Sequence, residues 1–253
     1  MTGEKLTREW EEATSYRISD DDIERAKSLL DIDFASRQRE YITEATFDNI
    51  RNFAHGVGND NPLHCDPEYA KRTRWGSVVA PNMMAGIINA PMKGDPIDPA
   101  LKAKTKSLFK GVHVFVSGGE WIWYRPVYPG DTLFNIESDE SIEVKASQFA
   151  SRSVTRIARR VKINQRHEVV AIYRTRRILT ERSTARNRGK YASIKPATYT
   201  DEDIDRIDAI YAAETRRGAE IRYWEDVKVG DSLGTMAKGP LTVTDIMCFH
   251  AGG

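Results

Sequence analysis

Cysteine is scarce in this chain: of 253 residues only Cys65 and Cys248 are cysteines, far apart and without a CxxC spacing. A disulfide framework and a cysteine-based metal centre are therefore not expected, and a reducing cytoplasm fits best. His55, His113, His167 and His250 share no ligand spacing with either cysteine, so no metal or other cofactor is expected. Long apolar runs are also missing. The longest, Val78 to Met92, is broken by Pro81, Asn82, Gly86, Asn89 and Pro91, too short and too polar to cross a bilayer. The N-terminal MTGEKLTREWEEATSYR has no apolar core of a signal-peptide kind. Finally, no charge sign dominates: 38 basic and 37 acidic residues leave +1, and nucleic acid is not an expected partner. A 40% hydrophobic content in a chain of this length supports a sizeable core and a soluble globular protein.

The α-helical signals come first. Asp20 to Asp31 opens with acids and sets Ile23, Ala26, Leu29 and Leu30 at helical spacing. Thr46 to Val57 places Phe47, Ile50, Phe53, Ala54 and Val57 on one face, with Thr46 as N-cap and Gly56 and Gly58 as stop signals. Val78 to Met92 is apolar nearly all round and predicts a buried central helix. From Val112 onward apolar or β-branched residues alternate with polar ones, separated by turns such as Pro129-Gly130-Asp131. Long antiparallel strands follow, and with them an α+β layer in which a curved sheet wraps one helix. This domain spans residues 1–180. Residues 181–222 read as a charged linker with a polar helix over Thr200 to Arg216. Residues 223–253 look like the start of a second copy: Thr242, Ile246 and Phe249 repeat the spacing of Thr46, Ile50 and Phe53, each set followed by His and Gly.

The chemistry concentrates in one loop, GNDNPLHCDPEYA, which holds a histidine, three acids, two amides and two prolines between Gly58 and Ala70. Asn61 and Pro62 shape the loop, and Asp66 before Pro67 caps the short helix that follows.

The order of this loop, VVAPNMMAG and YRPVYPGDTL resembles the MaoC-like or hydratase-2 dehydratases, FAS1-like members included, over roughly Arg17 to Leu179. The resemblance implies a hot-dog fold, here with the start of a second hot-dog repeat at the C-terminus. It implies reversible hydration of trans-2-enoyl thioesters on coenzyme A or an acyl carrier. His64 matches the catalytic histidine of the family. Asn59 stands where the family has its acid, and a carboxamide orients water but cannot accept its proton; Asp60 is the adjacent carboxylate. By the same resemblance the start of the central helix, at Pro81, Asn82 and Met83, lies against the thioester oxygen, although the family commonly has His-Gly in place of Pro81-Asn82. Arg156 and Arg160, within basic runs on adjacent strands, are candidates for the nucleotide end of coenzyme A. An expected partner is a second hot-dog chain, as a homodimer or as the supplier of the second repeat. The alternative function is a non-catalytic acyl-binding hot-dog subunit, favoured by Asn59; a thioesterase is the weaker third.

Overall fold

The computed structural model describes residues 17–93, 97–146, 152–181, 195, 197–215 and 222–252. The chain divides into two compact units, Ser193–Met247 and the remainder.

In the larger unit, α1 (Asp20–Lys27) is capped by Ser19, whose Oγ accepts from Asp22 N, and buries Ile23 and Ala26. Two short strands, β1 (Phe34–Ala35) and β2 (Glu44–Ala45), precede α2 (Phe47–Gly56). Two single-turn helices, α3 (Pro62–Cys65) and α4 (Pro67–Lys71), carry the histidine loop, and α5 (Pro99–Thr105) leads to the long strands. These are β3 (His113–Trp123), β4 (Asp131–Ala146), β5 (Arg152–Asn164) and β6 (Val169–Thr180). All pair antiparallel in the order β1-β4-β5-β6-β3, with β2 also on β4. The long-strand expectation is met, and the mixed α/antiparallel-β layer is the expected hot-dog architecture.

Register decides what each face carries. Val154, Arg156, Ala158, Arg160, Lys162 and Asn164 alternate along β5 on the side that packs on the helices. Two apolar clusters lie on that side. One joins Ile50 and Phe53 of α2 to Met84, Ile88, Leu133 and Ala171; the other joins Ile23 and Ala26 of α1 to Ile142, Val154 and Leu179.

The helix expected over Val78 to Met92 is the main correction. Only Asn82–Gly86 turns, as a 3-10 helix. The rest is extended because its backbone bonds outward: Ala80 N to Val127 O, Asn89 N to Ile42 O, Ala90 N to Leu133 O and Met92 N to Ser36 O. Pro81 and Pro91 lack the N–H a continuous helix would need. The all-round apolar character survives as burial, with Met84 and Ile88 fully enclosed. The helices packed against the sheet are instead α2 and α1. β3 carries a β-bulge between Val116 and Gly118.

Lys162 is 1% exposed, and its Nζ donates to Ile88 O at 2.9 Å. It thus ties β5 to the extended segment. In the smaller unit, α6 (Asp201–Ala212) starts at a Thr200–Asp203 capping box, and the Tyr211 hydroxyl donates to Gly239 O. Near the C-terminus, α7 (Val243–Gly252) is capped by Thr242 Oγ1 accepting from Asp245 N, as Thr46 Oγ1 accepts from Asn49 N at α2.

Burial, aided by the Arg160 charge, lowers the Lys162 pKa from 10.5 to about 8. The folded value lies below the unfolded one, so folding carries the full penalty below about pH 8 and sheds it as pH rises toward 10.5, on the order of 3 kcal/mol in all. The urea midpoint of the native chain should therefore climb above pH 8 relative to that of Lys162→Met. Parallel profiles for the two proteins would remove Lys162 as the cause.

Candidate active site

The histidine loop is aimed by backbone chemistry before any side chain acts. Gly58, at φ +66°, ends α2: its N–H donates to His55 O and Asn59 N–H donates to Ala54 O, the paired bonds of a Schellman motif. Gly56, the other predicted stop, lies inside the helix. Asn59 Oδ1 then accepts from Asn61 N at 3.0 Å, and Asn61 Oδ1 accepts from Leu63 N at 3.0 Å, capping α3 with Pro62 in its first turn. Asp66 Oδ1 accepts from Glu68 N and Tyr69 N and starts α4. The expected loop-shaping and capping roles of Asn61, Pro62 and Asp66 are all present.

His64 is half-buried, and its Nδ1 lies 2.7 Å from Val79 O. A carbonyl only accepts, so Nδ1 carries the hydrogen and the neutral ring leaves its lone pair on Nε2. A ring fixed in this way has one nitrogen committed to structure and one available for proton exchange. The same Val79 donates its N–H to Leu63 O at 3.4 Å, and Ala80 binds Val127. Two residues after Val79, Pro81 opens the 3-10 turn, with no side-chain cap. Asn82 and Met83 are exposed, and among the described residues their N–H groups donate to no backbone acceptor. His64 is therefore tied to the very segment that carries Pro81, Asn82 and Met83.

Asn59 is half-buried and its oxygen turns back onto its own loop, which leaves its NH2 as the end able to meet a water molecule. Asp60 is exposed. Its charge opposes ionisation of Cys65, whose thiol is pushed up mainly by burial and only partly relieved by Arg51. Cys65 is thus not an activated nucleophile. Among the described residues no group of three acidic, histidine or cysteine side chains could hold a metal ion.

The basic runs are not one surface. Arg159 and Arg174 occupy the outer face, paired with Asp33, Glu140 and Glu120. Arg156 and Arg160 occupy the core-facing side, where Arg156 Nε lies 2.7 Å from Asp139 and Arg160 Nε 3.2 Å from Glu137. The Val79 carbonyl, which fixes the histidine, left no signal in the sequence, because its role belongs to the backbone.

A family profile described as "FAS1-like, dehydratase domain region" matches residues 35–173, more than half of the chain. A protein of Streptomyces avermitilis described as "UPF0336 protein" is 33% identical over 97 residues, 38% of this chain and 61% of that one. A Thermomonospora curvata protein described as "Probable enoyl-CoA hydratase alpha subunit" is 28% identical over 164 residues, 61% of this chain and 51% of that one. The chain thus spans half to three fifths of these relatives. A solved structure described as "MaoC-like dehydratase" aligns with a TM-score of 0.54 at 18% identity, over 90% of this chain and 66% of that one. It is similar in fold.

A Cβ at Gly58 would have to adopt the left-handed conformation. Gly58→Ala should therefore lower unfolding stability by about 1 kcal/mol. Calorimetry checks this, and an unchanged Tm would mean that the loop is not set by this cap.

Proposed function

The chain belongs to the FAS1-like dehydratase family, and from that membership we propose that it hydrates trans-2-enoyl thioesters reversibly, on coenzyme A or an acyl carrier. The observation that carries this reading is His64, held by Val79 O with Nε2 as its working nitrogen.

In the proposed reaction Nε2 takes a proton from water as the water oxygen bonds to C3 of the enoyl group. The C2=C3 pair shifts toward the thioester carbonyl, and the resulting enolate oxygen accepts from the N–H groups of Asn82 and Met83, at the place where Pro81 opens its turn. Protonation at C2 by the same imidazolium completes the addition of H and OH. Asn59 donates from its NH2 to the attacking water, and His64 supplies the base. Asp60, being exposed, remains the candidate to share that role. Arg156 and Arg160 are proposed substrate contacts through coenzyme A phosphates.

We also propose that residues 1–180 form one hot-dog domain, that 181–222 link it onward, and that 223–253 open a second repeat. Ile246 and Phe249, which correspond to the buried Ile50 and Phe53, are 46% and 51% exposed, so that face of α7 awaits a covering layer. A second hot-dog chain, a copy or a different subunit, suits this need, and the relative described as an alpha subunit is in keeping with it. The reducing cytoplasm is the proposed compartment, with both cysteines free. Asn59 at the acid position supports a second reading, an acyl-thioester-binding subunit without chemistry of its own.

With crotonyl and longer enoyl-CoA, loss of the enoyl absorbance without thiol release is expected. It should fall by about 100-fold or more in His64→Ala and rise in Asn59→Asp. Silence at every chain length would leave the binding-subunit reading, and thiol release would indicate a thioesterase.

A further inference from the structure

Midway along the sheet, on the core-facing side, lies a rung of small side chains: Gly119 of β3 pairs with Thr175 of β6, and Thr175 with Ala158 of β5. The rung on one side is Trp121, Tyr173 and Arg160, and the rung on the other is Val116, Arg177 and Arg156. Trp121 stacks on Tyr173 with ring centroids 4.2 Å apart, and Tyr173 lies over Gly119 so closely that a Cβ there would come within 2.9 Å of its ring. The rung separates the two apolar clusters: Ala171, in the α2 cluster, lies past Tyr173, and Leu179, in the α1 cluster, lies past Arg177.

Three guanidinium groups meet here against two carboxylates. Asp139 holds Arg156 and Glu137 holds Arg160. Arg177 has neither an ion pair nor a side-chain hydrogen bond among the described residues, although it is only partly exposed and stands directly opposite Arg156 in the register. Like charges in that relation repel. Desolvation first, and then the charges of Arg156 and Arg160, lower the Arg177 pKa; Asp139 and Tyr173 offset only part of this. A half-sheltered fork of donors with excess positive charge is suited to a planar or tetrahedral oxyanion.

We propose that this rung is an oxyanion site, in which Arg177, flanked by Arg156 and Arg160, binds the carboxylate or phosphate group of a small ligand. The group comes either from a free anion or from the substrate itself. Binding of a free anion does not depend on the hydratase reading; only the substrate source rests on it.

The test is thermal unfolding of the full chain in millimolar phosphate or succinate against chloride at equal ionic strength. Wild type should gain about 3 °C from at least one of the two oxyanions. Arg177→Met should lose that gain while being no less stable in chloride, because its removal relieves repulsion. An equal gain in Arg177→Met, or none in wild type with either anion, overturns the proposal. If Arg177→Met does not fold, Arg177→Lys takes its place: it keeps the charge without the fork, and at least half of the gain should be lost. To identify the source, kcat/KM is compared for enoyl-CoA ending in carboxylate or in methyl. A tenfold preference for the carboxylate, lost in Arg177→Met, assigns the site to the acyl end of the substrate; equal values that both fall in Arg177→Met assign it to the coenzyme A phosphates, and equal values that do not fall assign it to a free anion. If neither thioester is hydrated, the hydratase reading fails while the unfolding arm still decides the site.

Discussion

The backbone of residues 78–92 has to find its hydrogen-bond partners outside itself, and most of the molecule is arranged around that need. Prolines at 81 and 91 prevent the segment from closing into a helix, so its amides reach Val127, Ile42, Leu133 and Ser36. A buried peptide group left unpaired costs free energy comparable to a lost hydrogen bond. Each outward bond therefore draws one neighbouring element into place. Lys162 answers the Ile88 carbonyl and His64 answers that of Val79. The catalytic candidate is held by the same logic as the core.

Much of this was legible in the sequence. Thr46 caps its helix, Asp66-Pro67 starts another, and the alternating segments after Val112 are strands, because each signal is local and its physical cause lies within a few residues. The Val78 to Met92 stretch misleads for the opposite reason. Hydrophobicity all round says that a segment is buried, and both a helix and an extended strand-like segment can satisfy that. Only the non-local partners decide, and they lie at Ile42, Val127 and Leu133. The site was legible as a set of residues, but not as a geometry: nothing near His64 in sequence announces the Val79 carbonyl.

The arginines show the same limit in another form. Along the sequence Arg156, Arg159, Arg160, Arg174 and Arg177 form two undivided basic runs. The two-residue period of the strands sorts them onto opposite faces, one with ample carboxylates outside and one with a deficit of them inside. Composition near neutrality hid this, since a balanced total says nothing about where the imbalance sits.

The Schellman closure at Gly58 has an evolutionary consequence. Because main-chain bonds set the course of the loop, and because the Oδ1 that Asn59 offers to Asn61 is an atom an aspartate also has, the residue at position 59 is conformationally almost neutral between the two, while in the proposed reaction it is chemically consequential. A lineage can pass between carboxylate and carboxamide there in one step while the fold stays intact. Under the proposed function, position 59 is thus a place where catalytic power and structural integrity are free to evolve separately.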